Sequence, residues 1–400
     1  MQITDNTKQQ SIVPLFRLSF RPFFLFASLF SILAIGLWVG MLSGLFMFEP
    51  YGNALWWHSH EMLFGFTFAV ICGFLLTAIE NWTGIPGIRS WPLFILFSVW
   101  LCARLALLFN ITPSYWILAL DISPALLAGY FLWRSIAAVK QWRNAIFVVV
   151  MFVFAWSNAL MHISLIENTP QLANQSVTTM VMLVTLIMCV IGGRVIPFFT
   201  ARGTGTDKVA PITTIEYLAL IPLVAYIVLS IINSFFSLES YMLATCLFVA
   251  GFANLLRLIR WRPWLVVKVP LLWSLHGAYL FIPFGLIVFG ISLLEPSLIK
   301  TSTAIHFLTA GAMGGLIMAM MARVSLGHSG RPLVIKPMMV VAFSLILIAG
   351  VIRTIIPLLS PQLSFLSYQV SAILWIVSYS LFVWVYYPIL SKARIDGRPG

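Results

Sequence analysis

Twelve times along its length the chain runs close to 20 residues on apolar side chains. That is the length a helix needs to cross a hydrocarbon layer of about 30 Å. Every backbone N–H and C=O inside such a layer must be bonded within the protein, so only helices or a closed barrel can span it. The alternation of apolar and polar residues that marks barrel strands is absent, so helices are predicted. The runs fall at 23–46, 58–79, 91–109, 114–133, 145–166, 173–199, 213–236, 240–258, 269–294, 301–322, 337–358 and 364–390. The expected fold is an all-α integral membrane protein, a bundle of about twelve transmembrane helices. Only 8% of the residues are charged, against about 25% in a soluble domain. Residues 1–22 read as a polar N-terminal segment, 23–390 as one polytopic domain and 391–400 as a basic tail. The opening MQITDNTKQQ is polar and the first apolar run exceeds a signal h-region, so that run reads as a span and not a cleavable leader. The run 173–199 is long enough to predict a tilt, or a break at Gly192-Gly193.

The 23 lysines and arginines set the orientation. With both termini cytoplasmic, Lys300 is the one basic residue in an outer connection. Arg104, Arg194 and Arg353 lie within spans, and all the others collect on the inner side. Such an imbalance is the positive-inside signature. The net charge of +12 is then accounted for by topology and by attraction to anionic lipid, and no nucleic-acid partner is expected. The four cysteines lie in four different spans without CxxC or CxxCH, which argues against disulfides and against covalently attached c-type haem.

That topology gives each of the 6 histidines a depth. His58 and His60 lie at the outer mouth of the second span, within about 5 Å of its start. His162 comes about 6 Å into the fifth span and His306 about 8 Å into the tenth. His276 enters the ninth span about 10 Å from the cytoplasmic side, and His328 belongs to an inner loop. Intramembrane imidazoles are costly without partners. The bland role is hydrogen bonding between helices; the sharper one is a metal, since neutral imidazole suits copper, iron and zinc. His58 and His60 point about 200° apart on a helix, so one binds from an unwound start or each serves a different centre. Glu61 would orient an imidazole or relay protons, and Trp56 and Trp57 read as an interfacial aromatic belt.

Arg104 and Asp121 fall at similar depths on a tight hairpin, which predicts a buried ion pair. Alternatively, Arg104 or Arg353 grips an anionic cofactor group such as a haem propionate. In the tenth span Gly311 and Gly315 stand at GxxxG spacing. That spacing predicts close helix packing, or room for a flat macrocycle beside His306.

FRPFFLFA (20–27), WWHSHEMLFGF (56–66), GFLLTAIENWTG (73–84), RVIPFFTARG (194–203), LHGAYLFIP (275–283) and HFLTAGAMGGLIMAMMARVSLGHSGRPL (306–333) together resemble the NnrS family. The resemblance implies a twelve-helix protein of the bacterial inner membrane that holds non-covalent b-type haem and copper and takes part in the response to nitric oxide. Its histidine motifs match His58, His60, His276, His306 and His328, with His162 fitting more loosely; which histidine holds which metal stays open. On this basis His60 and His306 are the expected outer ligands, His58 and His162 further candidates, and His276 the ligand of an inner centre. Nitric oxide or an iron–nitrosyl species is the expected small ligand, with the electron donor open. Two other classes remain. A proton-coupled secondary transporter would use Glu61, Asp121 and the histidines as a relay. A subunit dependent on a partner would use the histidines for packing alone.

Overall fold

A computed structural model describes residues 11–397, and no strand occurs among them. The helices are α1 (Phe20–Leu42), α2 (Ala54–Thr83), α3 (Trp91–Ala106), α4 (Tyr115–Ala138), α5 (Ile146–Ile166) and α6 (Pro170–Thr204). They continue with α7 (Thr213–Ile232), α8 (Ser240–Arg260), α9 (Pro270–Leu294), α10 (Thr301–His328), α11 (Pro337–Leu359) and α12 (Ser364–Ser391). Eleven are long and apolar enough to cross a membrane. The twelfth, α3, has 16 residues, about 24 Å at 1.5 Å per residue. It stops before Asn-Ile-Thr-Pro, and the Tyr51 amide caps its end by donating to the Leu107 carbonyl at 3.3 Å. The fold is therefore a multi-span helical membrane protein.

Of the two alternatives for the long run one drops out, and one expected loop residue proves helical. The run at 173–199 has no break: α6 is continuous through Gly192 and Gly193 for 35 residues. Nor does His328 lie in a loop, because α10 carries on through Arg-Val-Ser-Leu-Gly and His328 is its last residue.

The chain forms two compact units, the division falling within α6, α10 and α12. Unit one comprises the chain up to Val177, Met321–Val334 and the chain from Tyr379 on. In it α1 packs on α2, and α4 on α3 and α5. Buried arginine closes one helix end: Arg21 Nη1 donates to the carbonyls of Ile389, Leu390 and Lys392 at 3.3, 3.0 and 2.6 Å. Those carbonyls have no partner inside α12, and a cation there also opposes the negative end of the helix dipole.

Unit two comprises Thr178–Met320 and Ile335–Ser378, with α8 packed between α7 and α9. Its polar centre is Arg257, which is buried. Arg257 Nε and Nη2 donate to Glu216 at 3.1 and 2.9 Å, and Nη1 to Asn254 and Tyr279 at 3.0 and 3.1 Å. Nη2 also reaches the Cys189 carbonyl at 3.2 Å. This reach requires bare backbone, because a Cβ on Gly193 would collide with the guanidinium. Gly193→Ala is therefore expected to displace Arg257 and to lower unfolding stability in detergent by about 3 kcal/mol, the scale of a broken buried ion pair. Gly327→Ala is the control: nothing lies within 4 Å of its added Cβ, and alanine there gains up to about 1 kcal/mol of helix propensity. Equal thermal shifts for the two variants would refute the argument.

Candidate metal centre

Asn53 starts α2, its side-chain oxygen accepting from the Trp56 amide at 2.9 Å. This cap places Trp56 and His60 on one face, four residues apart. Both tryptophans expected in a lipid-facing belt are buried instead. Trp56 lies flat on His60 with centroids 4.5 Å apart at 8°, and its Nε1 donates to the Met161 carbonyl at 3.1 Å. Trp57 packs edge-on against Phe48. Immediately after His60 the backbone widens into a π-helix over Glu61–Thr67, a turn type that gathers at functional sites. Trp100 Nε1 donates to the Gly65 carbonyl within it at 3.1 Å. A Cβ on Gly65 would stand 3.0 Å from Arg104 Nη1 and 2.7 Å from the Phe30 ring. The glycine thus lets the guanidinium come in beside Glu61.

Arg104 joins two carboxylates. Nη1 donates to Glu61 Oε1 at 2.5 Å, and Nη2 to Asp121 Oδ1. Asp121 sits three residues before Pro124, whose ring nitrogen cannot bond the Leu120 carbonyl. The Ser123 hydroxyl donates to that carbonyl at 2.7 Å, so α4 stays regular there. On α5, Asn158 and His162 share a face one turn apart. Asn158 Nδ2 donates to Asp121 Oδ2 at 2.9 Å, and its Oδ1 faces His60 Nε2 at 2.8 Å. His60 Nε2 and His162 Nε2 each stand 3.0 Å from Asp121 Oδ2. His60, Glu61, Arg104, Asp121 and His162 are all buried.

The hydrogen bonds fix how the histidines are held. His162 Nε2 faces a carboxylate and Nδ1 faces the Tyr51 hydroxyl at 3.1 Å. Burial pushes the Tyr51 phenol up to about 12, so it keeps its proton; its hydroxyl donates to a bare Nδ1 or accepts from Nδ1–H, and the second arrangement frees Nε2 for a metal. His60 meets only acceptors, with Glu61 Oε1 2.9 Å from Nδ1 and Asp121 and Asn158 oxygens at Nε2. A neutral ring gives its one proton to one of these sides and turns a bare nitrogen to the other, the nitrogen a metal ion would take.

Among the described residues, His60, Asp121 and His162 are the one group of three or more His, Cys, Asp or Glu whose ligand atoms converge, all within 4.8 Å. The other predicted residues lie elsewhere. His58 stacks on Trp38 at 4.5 Å and 10°. His276 is held at both nitrogens, by the Leu272 carbonyl at 2.9 Å and the Thr200 hydroxyl at 3.4 Å. His306, in unit two, places Nδ1 2.6 Å from the Ser302 carbonyl and Nε2 3.2 Å from Arg353, whose guanidinium lies over the Tyr368 ring. The glycine-rich face of α10 is filled: added Cβ atoms would meet Phe281 at Gly311, Trp375 at Gly314 and Ala278 at Gly315. Close packing is the role these glycines take, and no room for a macrocycle is left along them.

Sequence reading missed Tyr51, Asn158 and the Glu61–Arg104 link, which depend on how α2 to α5 pack. It also missed a repetition. His60 and His306 are each followed at once by a seven-residue π-helix, Glu61–Thr67 and Phe307–Met313. Each π-helix holds a glycine five residues after the histidine, and the next helix brings an arginine to the histidine or its neighbour. The sequence signal was the repeated His-x4-Gly, in HEMLFG and HFLTAG.

No curated protein matches the chain. The family described as NnrS protein matches residues 14–394, nearly the whole length. The chain therefore belongs to the NnrS family.

Proposed function

We propose that His60, Asp121 and His162 hold a copper ion, and that this centre serves a bacterial inner-membrane protein of the nitric oxide response. The observation that carries the reading is the convergence of those three ligand atoms within 4.8 Å, from three helices, in a buried setting. Two imidazole nitrogens and one carboxylate oxygen suit copper, iron or zinc, and the family favours copper. The spacing fits as well: each histidine nitrogen stands 3.0 Å from Asp121 Oδ2. Two ligands at right angles on bonds of about 2.1 Å would lie about 3.0 Å apart. When bound, copper supplies a one-electron couple beside a small ligand.

The chain's own residues prepare the site. Arg104 holds the other oxygen of Asp121, Asn158 fixes its ligating oxygen, and Tyr51 orients the His162 ring. Glu61 Oε1 faces His60 Nδ1, while Glu61 Oε2 is buried with no hydrogen-bond partner among the described residues. That carboxylate is placed to hold or pass a proton at Nδ1. A cavity of about 10 Å³ touches Arg104, Asp121 and Asn158, with Phe64, Phe68, Trp100 and Phe154 as apolar wall. It admits about one water-sized molecule, which is also the size of nitric oxide. A haem does not fit at His306, where the neighbouring glycine face is filled and a guanidinium adjoins the ring.

The expected result is stoichiometric copper in detergent-purified protein, with nitrogen hyperfine structure in the electron paramagnetic resonance spectrum that nitric oxide perturbs. Well-folded protein that takes up no copper, iron or zinc would overturn the reading. The His60 imidazole flanked by Glu61 and Asp121 would then stand as a proton relay of the transporter class.

A further inference from the structure

We propose that unit two carries a separate site for a phosphate-bearing anion, occupied by the headgroup of an anionic phospholipid. A cavity of about 360 Å³ opens between α6, the connection at 208–212, α7 and the end of α8. Its size lies within the range of ligand pockets. Arg194, Lys208, Arg257 and Arg260 line it, and Glu216 is the only carboxylate among the lining residues.

Glu216 is already used. Both its oxygens accept from Arg257, at 3.1 and 2.9 Å, and Gly193 is bare so that Arg257 can reach them. Three cations are left around the opening with no second acid among the lining residues. Arg260 spends one N–H on the Ala210 carbonyl at 3.0 Å, while Arg194 and Lys208 are exposed. Asp207, next to Lys208, is not part of the lining. Three like charges around one opening repel one another unless an anion lies between them. Guanidinium groups match phosphate oxygens in pairs.

Depth and wall chemistry choose lipid over free phosphate. At 35 residues, α6 is about 52 Å long, against a hydrocarbon thickness of about 30 Å. The helix must project past the hydrocarbon, and Arg202 and Lys208 mark the end that does. The rest of the wall is largely apolar, with Val190, Pro197 and Leu220 among the lining residues. Phe198 and Ile221 beside it are 41% and 58% exposed. A free phosphate has no use for that wall, whereas an acyl chain attached to the bound headgroup would lie along it.

The test uses the full chain in mild detergent. Native mass spectrometry should show phosphatidylglycerol or cardiolipin retained by the wild type and lost from Arg194→Ala/Arg260→Ala. In thermal unfolding, micelles containing phosphatidylglycerol should stabilise the wild type and phosphatidylcholine micelles should not. The double variant should bind the anionic lipid roughly 30-fold more weakly, the loss expected for two interfacial cations. Lys208→Ala, on an exposed side chain outside the helices, is the milder variant should the double one fold poorly; it should lose roughly 5-fold. Stabilisation by millimolar inorganic phosphate without any lipid preference would overturn the lipid assignment and leave a small-anion site. Equal lipid retention by wild type and variants would overturn the site altogether.

Discussion

Arg104→Met is expected to lower unfolding stability in mixed micelles by roughly 3–5 kcal/mol. The guanidinium is 2.5 Å from Glu61 Oε1 and also bonded to Asp121, and all three side chains are almost wholly shielded. Removing it leaves two carboxylates buried without the cation that bridges them. Polar contacts between membrane helices average about 0.6 kcal/mol, so a loss several times larger would identify a stranded charge and not a missing hydrogen bond. The triple variant Glu61→Gln/Arg104→Met/Asp121→Asn removes the charges together and should recover much of the loss, because burying ions is itself costly. The idea fails if Arg104→Met costs under about 1 kcal/mol, or if the triple variant is less stable than the single one.

The outline of this cluster was legible in the sequence to the extent that one dimension suffices. Counting residues from helix ends gives depth, and depth puts Arg104 and Asp121 of adjacent helices at one level. Helical periodicity also separates His58 from His60, and in the structure the two rings have different neighbours, Trp38 and Trp56. Depth says nothing about which helices are neighbours. It grouped His306 with His60 and His162, although His306 belongs to unit two and stands against Arg353. It left Asn158 and Tyr51 unnoticed, since neither carries charge and both matter only once α5 lies against α4. The tryptophans misled for a physical reason. An indole needs one polar partner and an apolar body, and the Met161 carbonyl supplies inside the protein what the headgroup layer supplies at its surface. Small residues were ambiguous likewise: a bare helix face admits a macrocycle or a neighbour's ring, and only the packing of Phe281 and Trp375 decides between them.

Substitution of the histidines one at a time should divide them sharply. His60→Ala and His162→Ala each remove one of three ligand atoms and are expected to weaken copper retention by more than about 100-fold. Tyr51→Phe leaves the ring contact with His162, centroids 5.3 Å apart, and deletes only the hydroxyl that holds Nδ1. Its loss should be smaller, roughly 10- to 100-fold, as for other groups that orient a metal-bound histidine. His276→Ala should leave copper in place, because Leu272 and Thr200 already occupy both ring nitrogens. His306→Ala should do the same, because a metal ion there would have to displace the Arg353 guanidinium from the imidazole. Unfolding temperatures of each variant separate loss of metal from loss of fold. The graded order, ligand above orienting group above bystander, is what a purely structural role for the cluster would not produce. If His276→Ala or His306→Ala strips the copper while His162→Ala keeps it, the metal belongs to unit two, and the assignment to His60, Asp121 and His162 is wrong.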